Sequence, residues 1–257
     1  MTNDKTIVLI TGSNTGIGFD TATALATLSP PAYHIILTAR DPAKGAAALQ
    51  DLRARNLPGS AAVSLLHLEV TSARSIAAVV RDVADAHGRL DVLINNAGIG
   101  GSALGADLRT QLRDTLETNA CAAALVTEAF VPLLKRSGDA RVVNVSSELG
   151  SLALKRDRGC EFSRQDQMPY RMSKAALNMM TACQAQELGK WGCKVWSFCP
   201  GFVVTDVAKM GEKGREMMRQ MGAGDSKESA AGLVAIVKGE RDGEVGEFLH
   251  KDGVHPW

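Results

Sequence analysis

The stretch TIVLITGSNTGIG, residues 6–18, carries the pattern that decides the fold. An apolar run leads into three glycines, Gly12, Gly16 and Gly18, and a helical pattern follows. Glycine lets the backbone turn tightly and approach a ligand closely. The free N–H groups and the positive dipole end at the start of a helix attract a pyrophosphate. The stretch therefore predicts a strand, a phosphate-binding turn and a helix, with a glycine-rich turn that binds nothing as the alternative.

Apolar runs and helical patterns alternate along the rest of the chain. Strands that are apolar throughout and alternate with helices are typical of a parallel sheet covered on both faces. No repeat, low-complexity segment or linker divides residues 1–257. We therefore expect a single-domain α/β fold with a doubly wound, Rossmann-type parallel sheet flanked by helices. The predicted strands cover 6–11, 33–39, 62–69, 90–98, 141–147, 194–201 and 247–250, and the main predicted helices after the first cover 42–55, 72–88, 107–136 and 170–189.

The composition is that of a soluble globular protein, with 45% hydrophobic and 22% charged residues and a formal net charge of +1. We therefore expect no nucleic-acid partner and no membrane association. The apolar run Ile7–Ile10 is too short for a signal peptide or a membrane span. The five cysteines form no CxxC pair. This favours a cytoplasmic protein whose cysteines are small buried side chains, with no disulfide framework and no metal site.

The end of the second strand indicates which cofactor is bound. Folds that bind NAD commonly have a carboxylate there, which holds the ribose 2′-hydroxyl. This chain has Ala39 followed by Arg40, and a guanidinium can bind a 2′-phosphate through two hydrogen bonds. The pattern predicts NADP(H), and a solvent-exposed loop charge is the alternative for Arg40. We expect Asp41 to lead into the helix that begins at Pro42.

Tyr170 and Lys174, in the stretch YRMSK, are four residues apart on a predicted helix, so their side chains are neighbours. An ammonium beside a phenol favours the phenolate and so lowers the tyrosine pKa. A lowered pKa would suit a general acid or base at neutral pH. The two residues alone leave open an ordinary packing of a tyrosine beside a surface lysine.

Five motifs occur along the chain in a specific order, and in this order the chain resembles the short-chain dehydrogenase/reductase family. The resemblance extends over about residues 6–250. The segments LTARD and GEFLHKDGVHPW are similar to those of its carbonyl-reductase branch. The motifs are TGSNTGIG (11–18), NNAG (95–98), NVSS (144–147), YRMSK (170–174) and PGFVVT (200–205).

The resemblance implies a role for each matching residue. Tyr170 exchanges a proton with the substrate oxygen while Lys174 tunes it and holds the nicotinamide ribose. Ser147, with Ser146 as the fallback, hydrogen-bonds that oxygen, and Asn119 supports a proton-relay water or, alternatively, is a polar residue that kinks its helix. Asn95 stabilises the backbone and Thr205 meets the nicotinamide carboxamide. The expected contacts of NADP(H) are Gly12, Ser13, Asn14, Gly16, Ile17, Gly18, Arg40, Glu69, Val70, Asn96, Ala97, Gly98, Tyr170, Lys174, Pro200, Gly201, Val203 and Thr205.

The chain departs from the family pattern in two places, and a further loop is a second candidate wall of the substrate site. Glu69 stands where an aspartate often contacts adenine, and its longer side chain makes that contact less certain. An insert at 155–166 lies in the first of two expected substrate loops, near 150–168, and either walls the substrate pocket or is a solvated loop. The second loop, near 205–225, could form an adaptable lid or hold core methionines. Its methionines are Met210, Met217, Met218 and Met221.

These features predict an NADPH-dependent oxidoreductase that transfers hydride between nicotinamide and a ketone or aldehyde, as a carbonyl reductase or, in reverse, an alcohol dehydrogenase. Its partner would be a small carbonyl or alcohol substrate. The alternatives are a non-catalytic dinucleotide-binding sensor or scaffold, since a fold alone does not determine function, and an altered chemistry such as imine reduction. The helices at 107–136 and 170–189 could also pair between copies in a homo-oligomer.

Overall fold

Strands from along the whole chain join one eight-stranded sheet in the order β3-β2-β1-β4-β5-β6-β7-β8. The computed structural model describes residues 5–28, 32–101, 106–204 and 211–257. Strands β1 to β7 are parallel, and β8 pairs antiparallel with β7. This confirms the predicted doubly wound α/β fold. The strands are β1 (Thr6–Ile10), β2 (Tyr33–Ala39), β3 (Val63–His67), β4 (Val92–Asn95), β5 (Arg141–Val145), β6 (Lys194–Phe198), β7 (Phe248–His250) and β8 (Gly253–Val254).

Helices cover both faces of the sheet. Within the described residues, none is long and apolar enough to cross a membrane. The region predicted as one helix over 107–136 is two helices joined by a π-helical turn, Glu117–Cys121. The helices are α1 (Gly16–Ala26), α2 (Pro42–Ala54), α3 (Ala73–His87), α4 (Leu108–Leu116), α5 (Ala122–Leu134), α6 (Leu152–Arg156), α7 (Met168–Gly189), α8 (Gly211–Gln220) and α9 (Ser226–Val237).

The alternating side chains of β1 show why the strands are apolar throughout. Val8 and Ile10 pack into a core on one face of the sheet, whereas Ile7 and Leu9 pack into a core on the other. All four are fully buried. Because successive strand residues point to opposite faces, a sheet covered on both sides needs an apolar residue at every position.

The first turn of α2 forms as predicted. Asp41 is its N-cap, and its carboxylate accepts hydrogen bonds from the N–H groups of Ala43 at 2.9 Å and Lys44 at 3.2 Å. Pro42 occupies the first turn, where no N–H partner is needed. The cap therefore sets where the chain leaves β2, and with it the position of Arg40 at the sheet edge.

A pair of histidines, His34 on β2 and His87 at the end of α3, should make the fold sensitive to acid. Their ring centroids are 4.3 Å apart. Burial, together with the nearby charges of His87 and Lys5, lowers the pKa of His34 from 6.5 to about 4. Burial also lowers the pKa of His87. The unfolded chain therefore binds more protons than the folded chain at a pH between about 4 and 6.5.

We expect the free energy of unfolding to fall as the pH is lowered through this window, and His34→Gln to reduce that slope. Urea unfolding at several pH values between about 4 and 7.5 measures it. His67→Gln, a change at an exposed histidine on β3, is the matched control and should keep the wild-type slope. An unaltered slope in His34→Gln would contradict the prediction.

Candidate active site

A cavity of about 620 Å³ lies at the carboxyl ends of the strands, beside the point where the strand order reverses between β1 and β4. Ligands of open α/β sheets bind at such a switch point. Ten of the predicted cofactor residues line this cavity: Gly12, Asn14, Gly16, Ile17, Arg40, Glu69, Val70, Asn96, Ala97 and Gly98. We refer to it as the cofactor cavity.

The glycine turn is held in place by the NNAG segment. The hydroxyl of Thr11 accepts hydrogen bonds from the N–H groups of Asn96 and Ala97, both at 2.9 Å. Asn96 Nδ2 in turn donates to the carbonyls of Thr11 at 2.9 Å and Gly12 at 3.0 Å. A Cβ on Gly18 would lie only 2.6 Å from Asn96 Nδ2, so glycine is required for this contact. These bonds join the turn after β1 to the end of β4.

The start of α1 fits a phosphate group. Gly12 and Gly16 have positive φ angles of 61° and 58°, which L side chains rarely adopt. No side chain caps the first turn of α1, and no acidic residue lies in it. N–H groups at a helix N-terminus without a side-chain cap attract an anion. The observed turn therefore suits the pyrophosphate of a dinucleotide.

Arg40 and Glu69 meet at the edge of the cofactor cavity. Arg40 Nε lies 3.5 Å from Glu69 Oε2, and the Arg40 side chain is 68% exposed. Glu69 Oε1 also accepts a hydrogen bond from the Thr71 hydroxyl at 2.9 Å. Ala39 is buried, and a Cβ on Gly45 of α2 would lie 3.0 Å from its methyl group. Arg40 therefore lines the cavity, whereas Ala39 is buried behind it.

Other predicted cofactor residues lie away from the lining of this cavity. Ser13 is fully buried, and its hydroxyl donates to Ile10 O at 2.9 Å and accepts from Thr38 N at 2.9 Å. Ser13 therefore holds the glycine turn after β1 against the neighbouring strand β2. Pro200 and Gly201 follow β6, where Pro200 O accepts from the Ser229 hydroxyl at 2.6 Å. Val203 forms an isolated bridge with Gly224, and Thr205 lies outside the described residues.

Tyr170, Lys174 and Ser147 come together where β5 and α7 meet. The Lys174 ammonium nitrogen lies 5.8 Å from the centre of the Tyr170 ring and donates to Val145 O at 2.8 Å. Ser147 lies close enough to Tyr170 for its hydroxyl to lower the pKa of the phenol. A Cβ on Gly98, which lines the cofactor cavity, would lie 3.7 Å from Lys174 Nζ. The cluster thus borders the cofactor cavity.

The structure separates the two serines of the NVSS motif. Ser146 is buried, and its hydroxyl donates to Asn178 Oδ1 at 2.6 Å. Ser147 caps the 3₁₀ turn Glu148–Gly150, where its hydroxyl accepts from Leu149 N at 3.2 Å. Ser146 is thus held by Asn178, and Ser147 is the serine whose hydroxyl affects the pKa of the phenol.

Asn119 lies within the π-helical turn between α4 and α5 and is almost fully buried. Its Oδ1 accepts from Ile99 N at 2.8 Å, and its Nδ2 donates to Ile99 O and to the Ser173 hydroxyl, both at 2.9 Å. The side chain therefore connects the loop after β4 to α7. π-helical turns often occur at functional sites.

The pKa of Tyr170 shifts in the direction opposite to the sequence-based expectation. Burial raises this pKa, the charges of Glu148 and Cys199 raise it further, and the hydrogen bond with Ser147 lowers it. Burial lowers the pKa of Lys174 to about 8, against the raising effect of Cys199. The sequence pattern places the lysine beside the phenol but does not show the acidic neighbours or the loss of water. At neutral pH the phenol therefore carries its proton and can donate it.

Tyr170 lines a second cavity, of about 490 Å³. Its lining includes Gly100 and Gly101, which directly follow Ile99 of the cofactor cavity, so the two cavities adjoin. The remaining lining residues are Leu108, Gln111, Asp166, Gln167, Met168, Pro169 and Tyr170 itself. We refer to this space as the substrate cavity. Asp166, the last residue of the insert, lines this cavity.

Arg171 holds the insert against α7. Its guanidinium donates to Gln165 O at 3.1 Å, to Leu149 O at 3.2 Å and to Phe162 O. Lys155 Nζ donates to Ser163 O at 2.9 Å within the insert. The insert contains a 3₁₀ turn, Glu161–Arg164, and overlaps the end of α6, which the sequence pattern did not predict. These contacts anchor the insert, but nine of its twelve residues are exposed and none is buried, so most of it is a solvated surface segment.

The expectations about methionines and cysteines are partly wrong. Met217 and Met221, on and just after α8, are 47% and 65% exposed, so they are not core residues. Met210 lies outside the described residues. The five cysteines form no disulfide, but Cys121 and Cys183 are exposed, and only Cys193 and Cys199 are buried. The two buried cysteines flank strand β6, whereas Cys121 and Cys183 lie on exposed faces of helical segments.

Sequence reasoning missed several residues around the site. Thr11 anchors the NNAG segment and could have been found from its place in the glycine motif. Glu148 follows Ser147 and is buried beside Cys199, but neither residue carries a motif signal. The remaining cavity-lining residues that were not predicted are Thr15, Leu68, Thr71, Ile99, Arg113, Asp114, Glu117 and Thr118.

Comparison with known proteins agrees with this geometry. The family model described as short chain dehydrogenase matches residues 6–216. The short-chain dehydrogenase/reductase tropE of Talaromyces stipitatus is 32% identical over 266 residues, which cover 98% of this chain and 97% of the relative.

Two solved structures are similar over nearly the whole chain. The NADPH-bound carbonyl reductase from chicken fatty liver has a TM-score of 0.80 and 30% identity, covering 98% of this chain and 99% of its own. The carbonyl reductase Sniffer of D. melanogaster has a TM-score of 0.79 and 28% identity, covering 98% and 100%. From the family match and the relative together, the chain belongs to the short-chain dehydrogenase/reductase family of oxidoreductases.

Proposed function

We propose that this protein is an NADPH-dependent carbonyl reductase, which in reverse would act as an alcohol dehydrogenase. The observation that carries the proposal is the position of Tyr170, with Lys174 and Ser147 beside it. Tyr170 lines one cavity, and the Lys174 ammonium lies close to Gly98 in the wall of the other, which carries the glycine turn. The chicken carbonyl reductase with NADPH bound supports the choice of cofactor by similarity.

The chain offers a group for each part of the cofactor. The glycine turn and the start of α1 would hold the pyrophosphate, Arg40 the 2′-phosphate and Lys174 the nicotinamide ribose. When bound, the nicotinamide supplies or takes the hydride. Gly12 and Gly16 leave the turn free of side-chain atoms, which fits a ligand that approaches the backbone closely.

The protein's own residues would handle the substrate oxygen and its proton. Ser147 donates a hydrogen bond to the carbonyl oxygen and so orients it in the substrate cavity. Tyr170, protonated at neutral pH because burial and neighbouring charges raise its pKa, donates its proton to the same oxygen. Asn119 holds the loop at Ile99 against α7 and thereby keeps the wall between the two cavities in place.

A turnover assay tests the proposal. NADPH oxidation is followed with a panel of ketones and aldehydes, and with the corresponding imines in parallel. We expect turnover of carbonyl substrates. NADPH binding without turnover of any substrate would favour the sensor or scaffold alternative, and turnover of imines alone would favour the altered chemistry.

The preference for NADPH should depend on Arg40. Charge-assisted hydrogen bonds to a phosphate are worth about 1.5–3 kcal/mol, or roughly 10–150-fold in affinity. Because the Arg40 side chain is 68% exposed, solvent screening favours the lower end, about tenfold. We expect Arg40→Ala to remove this preference and Arg40→Asp to reverse it, since a carboxylate repels the phosphate.

The measurement is kcat/KM with NADPH and with NADH at low and high salt. Added salt should narrow the wild-type preference. Arg55→Ala, at the far end of α2, is the control and should keep the wild-type ratio. The carboxylate is introduced at position 40 rather than 39, because Ala39 is buried against Gly45 and leaves no room for a larger side chain. A wild type that uses both cofactors equally would show that Arg40 is only a surface charge.

A further inference from the structure

Three side chains of the types that bind metals meet beside Ser147, and none of them contacts the substrate oxygen in the reaction proposed above. Glu148, Cys199 and His255 each present one ligand atom, and these atoms all lie within 4.8 Å of one another. They come from three elements: the 3₁₀ turn after β5, the residue that follows β6, and the C-terminal segment after β8. The fold therefore assembles this cluster from residues far apart in sequence.

The sulfur of Cys199 has the surroundings of a metal ligand. It accepts hydrogen bonds from Glu148 N at 3.2 Å and Gly201 N at 3.4 Å, and its thiol bonds to Glu148 Oε2. N–H groups directed at a sulfur stabilise the thiolate, which is the form that binds metals. These contacts fix the sulfur between Glu148 and Gly201, where a metal-bound thiolate would keep the same two N–H contacts.

The carboxyl group of Glu148 lacks a direct counter-charge. It is 6% exposed, and in the described part of the chain no ion pair reaches it. The nearby cations are engaged elsewhere: Arg171 donates to three main-chain carbonyls and Lys174 to Val145 O. A buried carboxylate is costly unless a cation or hydrogen-bond donors compensate it.

His255 is held in position by the C-terminal segment. Its N–H donates to Phe248 O at 2.7 Å, and Trp257 stacks on the Phe248 ring with centroids 5.5 Å apart. The Ser151 hydroxyl donates to Pro256 O at 2.7 Å. The imidazole is only partly buried, which leaves a route from solvent to the cluster.

We propose that Glu148, Cys199 and His255 form a binding site for a divalent cation of the Zn²⁺ class. A thiolate, an imidazole and a carboxylate are the ligands that zinc prefers, and three protein ligands with a fourth position open is a known arrangement. Binding displaces the thiol proton to solvent as the sulfur–metal bond forms. The bound ion would tie the C-terminal segment to the turn that carries Ser147.

Metal titration of the full-length chain tests the site without using turnover. After removal of metals with a chelator, Zn²⁺ binding is measured by calorimetry and Co²⁺ binding by the absorbance of its thiolate bond. We expect about one ion per chain, release of about one proton per ion, and a melting temperature raised by about 5 °C at saturating Zn²⁺. Cys199→Ser, His255→Gln and Glu148→Gln should each weaken Zn²⁺ binding at least about tenfold.

Matched controls separate this site from metal binding at other cysteines and histidines. Cys193→Ser changes the buried cysteine at the opposite end of β6, and His250→Gln changes the histidine stacked on His255. Both should bind Zn²⁺ as the wild type does. Circular dichroism and melting without metal show that each variant is folded. Unchanged binding in a folded Cys199→Ser, or equal loss in Cys193→Ser, would overturn the proposal.

Discussion

Replacing Tyr170 by phenylalanine is expected to lower kcat by about 10²–10⁴-fold, the usual contribution of a general acid or base. The phenol proton is needed only when the substrate oxygen changes its charge. The Kd for NADPH should therefore change by no more than a few-fold. Because burial and the charges of Glu148 and Cys199 raise the phenol's pKa, the wild-type group is protonated at neutral pH and poised to act as an acid.

The chain offers a matched control, because its other tyrosine is Tyr33 on β2. Tyr33→Phe removes the same hydroxyl from a position outside both cavities and should leave kcat unchanged. Steady-state kinetics on the best carbonyl substrate and fluorescence titration with NADPH provide the two readouts. A Tyr170→Phe enzyme that keeps most of its kcat would exclude the proposed acid role.

Lys174→Ala is expected to lower kcat by about 10²-fold or more and also to weaken NADPH binding. Removal of one preorganised donor from an active site typically costs about 10²–10³-fold. Lys174 has two proposed roles: it tunes the pKa of the Tyr170 phenol, and it binds the nicotinamide ribose. Its ammonium is buried and 5.8 Å from the phenol ring, so no other described cation replaces it in this position.

The pH dependence of NADPH binding gives an independent readout for Lys174. Its pKa of about 8 means that the ammonium is charged below this pH and loses its charge above it. The Kd for NADPH should therefore increase as the pH rises through about 8 in the wild type but not in Lys174→Ala. Lys190→Ala, at the exposed end of the same helix, should behave as the wild type. An unchanged Kd in Lys174→Ala would remove the ribose role.

Much of the fold could be predicted because the pattern of apolar residues along a strand or helix indicates which of its faces are buried. The continuous apolar runs predicted a sheet covered on both faces, and β1 shows why, with Val8 and Leu9 in opposite cores. The helix start at Asp41 and Pro42 followed from local capping chemistry. The short strand β8 and the π-helical turn at Asn119 were missed, because two residues are too few for a pattern and a π-turn has no distinctive composition.

The sequence by itself determined the strand–turn–helix at residues 6–18, the helical spacing of Tyr170 and Lys174, and the order of the family motifs. These features depend on residues close together in the chain, whose geometry is local. Only the tertiary structure showed that Ser146 is held by Asn178, which supports the choice of Ser147, and that Arg40 lies beside Glu69. It alone also brought Glu148, Cys199 and His255 together. Contacts and pKa shifts of this kind depend on burial and on residues from distant parts of the chain. The spacing of neighbouring residues in the sequence therefore cannot predict them.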